Sequence, residues 1–333
     1  MKKKGIGCAI GLVALSLTIL FVVLILIDDG PPSMTFRVPS SPTAYSFSVL
    51  SANVGNLSLG CRSVLNKLCY KDVEERITAH IRQLRPDIVA LQEVLAPWQC
   101  EKIQEKNPKK VCFEAQLVPQ ARRLLGPDYT ISCNTRNEFE CIGVHTSLGE
   151  IAGCEPGGYC VNARTSPALD GCDNGFNVSA GTIRLRDGFT FDLVNAHPQS
   201  TDSACRAKMI RYIFEGDELS PALIESENVL LMGDFNLDPW RDRDESALTW
   251  QNYFDQGWAG RPFVYHSGMA EKDPPTITSR LFTGKTVDFI ASNFAAGLAY
   301  ALGESPGTDR LDGGKGMDHR GLFGYLTLPS TKW

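Results

Sequence analysis

Apolar residues recur along the chain with the spacing of β-strands. Phe47 and Val49 alternate with serines, and Phe189, Phe191 and Leu193 alternate with polar residues. Such alternation is typical of strands with one buried face. Further apolar runs occupy residues 87–91, 229–232, 287–290 and 322–328. The unbroken runs predict central strands covered on both faces, so we expect at least six strands.

Helical spacing is clearest between residues 73 and 84. Apolar side chains recur there on one helix face, at Val73, Ile77, Ile81 and Leu84. Pro86 should end this helix, and a second helix is predicted over residues 204–214. Residues 154–175 are rich in Gly, Cys and Asp with little periodicity, which predicts a long loop. No linker divides residues 45–333, so the pattern predicts one α+β or layered α/β domain.

The amino-terminal segment has the composition of a membrane anchor. Residues 6–27 carry no charge and are almost wholly aliphatic, enough for about 30 Å of helix. Lysines precede this segment and aspartates follow it, which predicts a cytoplasmic stub at residues 1–5 and a single-pass protein. An A-x-A-like cleavage site is missing, so an uncleaved anchor is favoured over a signal peptide. Residues 28–44 have the composition of a Pro-rich linker.

Cysteine usage agrees with a domain outside the cytoplasm. Ten of the 11 cysteines follow the apolar segment, and an even set predicts disulfides in an oxidising compartment, with the pairing left open. Zinc is disfavoured because no C-x-x-C pair is present. The 333 residues are 43% hydrophobic and 21% charged, which excludes disorder and coiled coil. We therefore expect an extracellular, periplasmic or luminal domain.

The predicted strands end in residues that bind metals and phosphates. These residues are Asn53, Glu93, His197, Asp234 and Asn236, together with Asp288 and the pair Asp318 and His319 before the last strand. If the strand ends lie side by side, carboxylates, amides and imidazoles meet at one edge of the sheet. Mg²⁺ and a phosphate ester require such groups.

Two of these acids carry the strongest signal. Glu93 directly follows a buried run, where a carboxylate is costly unless it is paired or metal-bound. Asp288 interrupts an apolar strand and needs a partner, for which His319 is the obvious candidate. His80, His145 and His266 are interpreted as structural. The chain has no G-x-S-x-G, H-E-x-x-H or complete P-loop motif.

Five motifs in order resemble the endonuclease/exonuclease/phosphatase superfamily, from about residue 45 to 328. They are S-A-N-V (51–54), P-D-I-V-A-L-Q-E-V (86–94), N-A-H-P (195–198), L-L-M-G-D-F-N (230–236) with V-D-F-I (287–290), and M-D-H-R (317–320). The resemblance implies a four-layered αββα sandwich, here preceded by one transmembrane helix. It also implies hydrolysis of a phosphodiester with Mg²⁺, or Mn²⁺ in its place.

The resemblance also implies roles for the residues that match these motifs. Glu93 would bind the metal with Asn53 in the same site, and Asp318 would add a ligand. Asp234 would orient or deprotonate the attacking water, and Asn236 would hold the phosphate. His319, oriented by Asp288, would contact the phosphate or act as a base. His197 would be the general acid or a phosphate contact.

Two positions depart from the family pattern. Met317 stands where the family usually has Ser or Thr, and residues 135–147 match only vaguely, with Arg136 and Glu140 left unassigned.

The sequence favours a phospholipid substrate. The stretch H-P-Q-S-T-D-S (197–203) resembles bacterial neutral sphingomyelinases, and an anchor would hold such an enzyme at its lipid. An anchored nuclease cleaving DNA or RNA is the first alternative. The chain carries a net charge of -5, and without the three lysines before the anchor the rest offers no basic stripe for nucleic acid. A phosphomonoesterase or a non-catalytic surface binding protein is the further alternative. No protein partner is evident.

Overall fold

Two β-sheets packed face to face form the centre of the protein, with helices on their outer faces. The structure is a computed structural model that describes residues 45–55, 71–106, 118–172, 177–218, 220–267, 276–277, 285–303, 309–312 and 317–328. All of them belong to one compact unit, Phe36–Trp333.

The helices are α1 (Lys71–Leu84), α2 (Pro97–Lys106), α3 (Gln120–Leu125), α4 (Ser203–Glu215) and α5 (Glu245–Gln256). The strands are β1 (Ser46–Asn53), β2 (Ile88–Gln92), β3 (Tyr129–Asn134), β4 (Cys141–His145), β5 (Gly149–Ile151), β6 (Tyr159–Thr165), β7 (Val178–Leu185), β8 (Thr190–Ala196), β9 (Val229–Asp234), β10 (Val264–Tyr265), β11 (Asp288–Ser292), β12 (Ala296–Ala301) and β13 (Leu322–Thr327).

The strands follow one continuous hydrogen-bonded path that folds back on itself. The order is β10-β11-β9-β8-β7-β6-β3-β4-β2-β1-β13-β12, and β5 pairs with β7. Strand β6 belongs to both sheets, because it runs parallel to β3 in one and antiparallel to β7 in the other. Two parallel pairs, β1 with β2 and β8 with β9, bring four strand ends to the same edge.

Three apolar clusters define four layers. The central cluster lies between the sheets and includes Val49 of β1 and Leu193 of β8. A second cluster packs α1 and α3 against the outer face of the first sheet. A third packs α4 and α5 against the outer face of the second sheet. The predicted αββα sandwich is therefore confirmed for the described part of the chain.

The predicted elements match the structure closely, with one correction. Helix α1 ends at Leu84, two residues before Pro86, and α4 covers the predicted second helix. The prediction of a long loop over residues 154–175 is wrong, because β6 lies within it. That strand escaped detection because only Ala163 of its side chains is buried, which leaves no apolar alternation to recognise.

The predicted anchor at residues 6–27 lies outside the described residues, as do the stub and most of the linker. Among the helices that the structure does describe, none is long and apolar enough to span a membrane.

Three disulfides confirm the prediction that cysteines of the folded part form disulfides. They join Cys133 to Cys141, Cys154 to Cys160 and Cys172 to Cys205. The first two close short local loops, and the third ties the start of α4 to the segment after β6. The remaining cysteines, or their side chains, fall outside the described part of the chain.

Candidate active site

The polar residues at the strand ends meet at one edge of the two sheets. Asn53 ends β1, and Glu93 directly follows β2, its parallel neighbour. Asp234 ends β9, and His197 directly follows β8, the parallel neighbour of β9. The parallel pairing therefore places one residue from each of four of the five motifs at the same edge.

Three antiparallel strands begin at this edge and supply the other groups. Strand β11 begins at Asp288, which lies opposite Asp234 in the ladder. Strand β4 begins at Cys141, directly after Glu140, and β13 begins at Leu322, shortly after Asp318 and His319. The structure thus brings all eight predicted site residues to the same edge.

The carboxylate of Asp234 lies at the centre of the cluster. Its Oδ2 accepts a hydrogen bond of 3.0 Å from Asn53 Nδ2. The same oxygen lies 3.6 Å from Nε2 of His319 and 3.8 Å from Nε2 of His197. Two imidazoles therefore flank one buried carboxylate.

His319 is held by Asp288 and by a short bridging segment. Its Nδ1 lies 2.9 Å from Asp288 Oδ2, which directs Nε2 towards Asp234. The hydroxyl of Thr276 accepts from the backbone N–H of Asp288, and the carbonyl of Thr276 accepts from Arg320 N. Residues 276 and 277 therefore fix Asp288 and His319 against each other.

His197 is held in the same manner by a residue that the sequence left unassigned. Its Nδ1 lies 3.4 Å from Oε1 of Glu140, whose side chain is fully buried. Asn134 Nδ2 donates to the other oxygen of Glu140, at 3.0 Å. On its opposite side, His197 Nε2 lies 3.5 Å from Glu93 Oε1. Arg136, the other unassigned candidate, is exposed.

A fully buried amide pair joins the two sheets beneath these residues. Gln92 donates to Oδ1 of Asn195 at 2.7 Å, and Asn195 Nδ2 donates to the carbonyls of Leu91 and Cys141. The pair ties β8 to β2 and β4, the strands that carry His197, Glu93 and Glu140. Gln92 and Asn195 are both polar residues at the end of an apolar strand, and this was the sequence signal that could have identified them.

The backbone at the site adopts conformations that are rare for these residue types. Glu93 has φ of 57° and Asn236 has φ of 52°, both in the left-handed region. Such conformations cost energy and cluster at functional sites. Gly233 has φ of 143°, and a Cβ there would lie 2.0 Å from the carbonyl oxygen of Ala196. Glycine therefore lets β8 and β9 approach closely directly before His197 and Asp234.

A model of the endonuclease/exonuclease/phosphatase family matches residues 50–293. The chain belongs to this family. It is therefore a phosphoesterase of a family whose members generally use divalent metal ions, and the resemblance drawn from the motifs is confirmed.

Solved structures of other endonuclease/exonuclease/phosphatase proteins share the fold. Humanized zebrafish (D. rerio) TDP2 matches with a TM-score of 0.52 and 17% identity, over 84% of this chain and 98% of its own. A family protein from Bacteroides thetaiotaomicron matches with a TM-score of 0.52 and 16% identity, over 86% and 99%. ANGEL2, a 2',3'-cyclic phosphatase, matches with a TM-score of 0.52 and 13% identity, over 86% and 97%. No curated protein matches the chain.

The electrostatics of this family member favour protonated imidazoles. Burial opposes the charge on His197, but the carboxylates of Glu140, Glu93 and Asp234 outweigh it and raise the pKa of His197 to about 9. Burial likewise opposes the charge on His319, whose pKa is nevertheless held well above its ordinary value by Asp288 and Asp234. Burial raises the pKa of the Glu140 carboxyl, and it does the same for Asp288. Each buried imidazole and its carboxylate therefore share a proton.

The charge of the site fits a divalent cation. Four carboxylates, those of Glu93, Glu140, Asp234 and Asp288, surround the two imidazoles. With both imidazoles protonated, the sum of four negative and two positive charges still leaves an excess of negative charge. A buried excess of this kind is costly unless a cation offsets it.

Two sets of residues could hold that cation. Asp234, Asp288 and His319 offer ligand atoms within 4.8 Å of one another. Asp288 and His319 also contact each other, at 2.9 Å. Glu93 is partly exposed, Asn53 Nδ2 lies 3.4 Å from its Oε1, and Asp318 is partly exposed beside His319. These three residues are the set that the sequence predicted to hold the metal.

Asn236 and the segment after His197 are joined to each other. The backbone N–H of Asn236 donates to Asp234 Oδ1, and its Nδ2 donates to the carbonyl of Pro198. Asp202 accepts from the N–H groups of Ala204 and Cys205, which makes it the N-cap of α4. The D-S pair of H-P-Q-S-T-D-S therefore begins a helix.

Proposed function

We propose that this chain is a metal-dependent phosphodiester hydrolase that uses two carboxylate-paired imidazoles. One observation carries the proposal: Asp234 is flanked by His319 and His197, and each of these is held by a second buried carboxylate. A diester needs one group to activate water and another to protonate the departing alcohol. The site presents both, at 3.8 Å and 3.6 Å from one oxygen of Asp234.

The proton path follows from this geometry. Asp234, oriented by Asn53, accepts a proton from water as the water oxygen attacks phosphorus, and His319 stabilises the charge that results. The bond from phosphorus to the leaving oxygen breaks, and His197 donates its proton to that oxygen. Asn236 offers the second hydrogen of Nδ2 to a phosphoryl oxygen. The products are a phosphomonoester and an alcohol.

Glu93, which lies beside Asn53, and Asp318, which precedes His319, are the residues that would hold Mg²⁺, or Mn²⁺ in its place. When bound there, the cation supplies positive charge to the phosphoryl oxygens and to the developing negative charge. Because metal ligands must be deprotonated, acid should weaken this binding.

The proposal includes the predicted anchor and placement. Residues 6–27 are apolar and follow three lysines, which supports a single-pass protein with a cytoplasmic amino terminus. Three disulfides in the folded part support an extracellular, periplasmic or luminal domain.

The phospholipid prediction rested partly on residues 197–203. Asp202 caps α4, and Arg206 donates to the carbonyls of Gln199 and Ser200. These contacts account for the D-S pair and the segment before it without a lipid. A phospholipid substrate therefore depends mainly on the predicted anchor, and it enters the experiments below as one arm.

The test uses the full chain, purified in mild detergent under oxidising conditions. Hydrolysis of bis(4-nitrophenyl) phosphate is measured with Mg²⁺, with Mn²⁺ and with EDTA. We expect Asp234→Asn to lower kcat by about 10²- to 10⁴-fold, and the exposed Asp255→Asn to leave it unchanged. Full activity in EDTA would overturn the metal requirement, and full activity in Asp234→Asn would overturn the assigned site.

A further inference from the structure

An aromatic pair made of the exposed Trp98 and the half-buried Phe139 lies beside the half of the site that holds His197. The rings of Trp98 and Phe139 stack with centroids 5.9 Å apart and an interplanar angle of 24°. The ammonium of Lys102 lies 4.9 Å from the centroid of the Trp98 ring. Trp98 is 39% exposed, and it is the one tryptophan among the exposed large side chains of the described residues.

The backbone connects this pair directly to the site. Val94 donates its N–H to the carbonyl of Phe139, at 3.0 Å. Val94 follows Glu93 and Phe139 precedes Glu140, the two carboxylates on either side of His197. Phe139 of the pair is therefore one residue along the chain from Glu140, which contacts His197, the group that we assign to the leaving oxygen.

The loop that carries Phe139 is fixed from several sides. Asn137 Oδ1 accepts from the N–H of Phe139, and Asn137 Nδ2 donates to Asn177 Oδ1 within the protein. The disulfide of Cys133 and Cys141 closes the base of the loop. A ring held in this way offers a preformed surface and loses little freedom on binding.

We propose that Trp98, Phe139 and Lys102 form a stacking platform for a nucleobase, so that the diester cleaved is a nucleic acid. The inference rests on the proposed function, because it places the base beside the scissile phosphate. A flat base stacks on the exposed part of the Trp98 indole when the flexible Lys102 side chain moves off the ring, and the ammonium then attracts the phosphates on either side of that base. The indole and the ammonium therefore both contribute to binding.

A choline headgroup fits the same surface poorly. A quaternary ammonium binds over an aromatic face through the charge distribution of the ring. Lys102 already places a positive charge over the Trp98 ring, which would repel a second cation. The local charge therefore favours a nucleobase over the headgroup of a choline lipid.

The test compares single-stranded oligonucleotides with and without bases. The full chain is assayed with Mg²⁺ on short DNA and RNA strands, and on a strand of the same length built of abasic residues. Variants are Trp98→Ala, Trp98→Phe and, as a matched exposed aromatic on β13, Tyr325→Ala. Sphingomyelin vesicles and bis(4-nitrophenyl) phosphate are run in parallel.

We expect Trp98→Ala to raise KM for the normal strand about tenfold with little change in kcat. Trp98→Phe should restore most of the affinity, and Tyr325→Ala should behave as the unsubstituted chain. The abasic strand should bind weakly to every variant, with no effect of Trp98→Ala. Lys102→Gln should reduce the slope of log affinity against log salt by about 0.7.

The outcomes separate this inference from the proposed function. If no diester is cleaved, the proposed function fails and the inference fails with it. If the small diester and sphingomyelin are hydrolysed but neither oligonucleotide is, the nucleobase platform alone is overturned in favour of a lipid. Equal effects of Trp98→Ala on normal and abasic strands, or no effect on either, would also overturn stacking. Circular dichroism checks that each variant folds.

Discussion

At the scale of single residues, His197 and His319 have similar surroundings, but the contacts that hold them differ in length. Both present Nε2 to Asp234 Oδ2, and both have Nδ1 against a buried carboxylate. The contact of His319 with Asp288 is 2.9 Å, whereas that of His197 with Glu140 is 3.4 Å and Glu93 also faces His197. His197 thus has the looser partner and the greater freedom to release its proton.

Replacing His197 should affect substrates according to their leaving group. We expect His197→Gln to lower kcat by about 10²- to 10⁴-fold on a diester with an alkyl alcohol as leaving group. The loss should be much smaller for 4-nitrophenolate, which departs without a proton. Steady-state rates on both diesters measure the difference, and His145→Gln is the control. Equal losses on both substrates would contradict the role of general acid.

The pKa of about 9 for His197 also predicts how stability changes with pH. The folded-state pKa lies above the ordinary value of 6.5, so this stabilisation is complete below about pH 6.5 and is lost as pH rises through 9. In EDTA we expect the free energy of unfolding to fall by up to about 3 kcal/mol from this residue alone. Urea unfolding at several pH values measures the fall.

His197→Gln should remove the part of the pH dependence of stability that comes from His197. The part that comes from His319, whose pKa is also raised, should remain. An unchanged slope in the variant would show that His197 does not hold its proton in the folded state.

Sequence reasoning pointed to eight candidate residues that the structure brings to one edge of the sheets, because each follows, interrupts or precedes an apolar strand. Glu140 could not be assigned in the same way. Its contact with His197 depends on the register that places Cys141 opposite Leu91, and on β8 lying across from that ladder. Such long-range pairing has no local signature in the chain.

At the scale of elements, the loop between β3 and β4 links a disulfide to the candidate active site. Cys133 and Cys141 are opposite each other in the ladder, and the residues between them include Asn134, Phe139 and Glu140. The disulfide thus closes the loop that positions His197 from one side.

Removing this disulfide should affect turnover more than folding. We expect Cys133→Ser with Cys141→Ser to lower kcat about tenfold or more, because Glu140 loses its fixed position. Cys154→Ser with Cys160→Ser, which opens a local loop that carries none of the candidate site residues, is the matched control. Rates and thermal unfolding of both variants are compared. Similar losses of activity in the two would contradict a specific link to the site.

Close approach of β8 and β9 at Gly233 predicts a second effect. A Cβ there would lie 2.0 Å from the carbonyl oxygen of Ala196, at a φ of 143°. We expect Gly233→Ala to lower the free energy of unfolding by about 3 kcal/mol or more, since backbone atoms must move. Gly260→Ala, at φ of 73° with open space around it, should cost about 1 kcal/mol. Equal costs in urea unfolding would contradict the steric argument.

Elements with a strong apolar period were predictable, and those without one were not. Strands β2, β9 and β11 are buried along their whole length and appear as apolar runs. Strand β6 is mostly half-exposed and joins the two sheets through hydrogen bonds that any sequence can make. The neighbouring strands β3 and β7 determine the position of β6, and the sequence of β6 gives no indication of this pairing.

At the scale of the whole molecule, the four layers follow from where apolar faces lie. Strands with two buried faces require cover on both sides, which two sheets and two helical layers supply. The site then falls where parallel strands end and antiparallel strands begin. The composition alone predicted that the chain folds into a domain. The order of the strands depends on long-range strand pairing, which the composition does not reveal.

The direction of β1 has a mechanical consequence for an anchored enzyme. The strand runs from Ser46, near the first described residue, to Asn53 at the site, about 23 Å away. If residues 6–27 anchor the chain as proposed, the anchor would be attached to the end of β1 that lies away from the site. Residues 28–44 would span at most about 60 Å if fully extended, which would limit the distance between the membrane and the domain. Shortening that linker should reduce cleavage of substrates embedded in the same bilayer, and leave dissolved strands equally accessible.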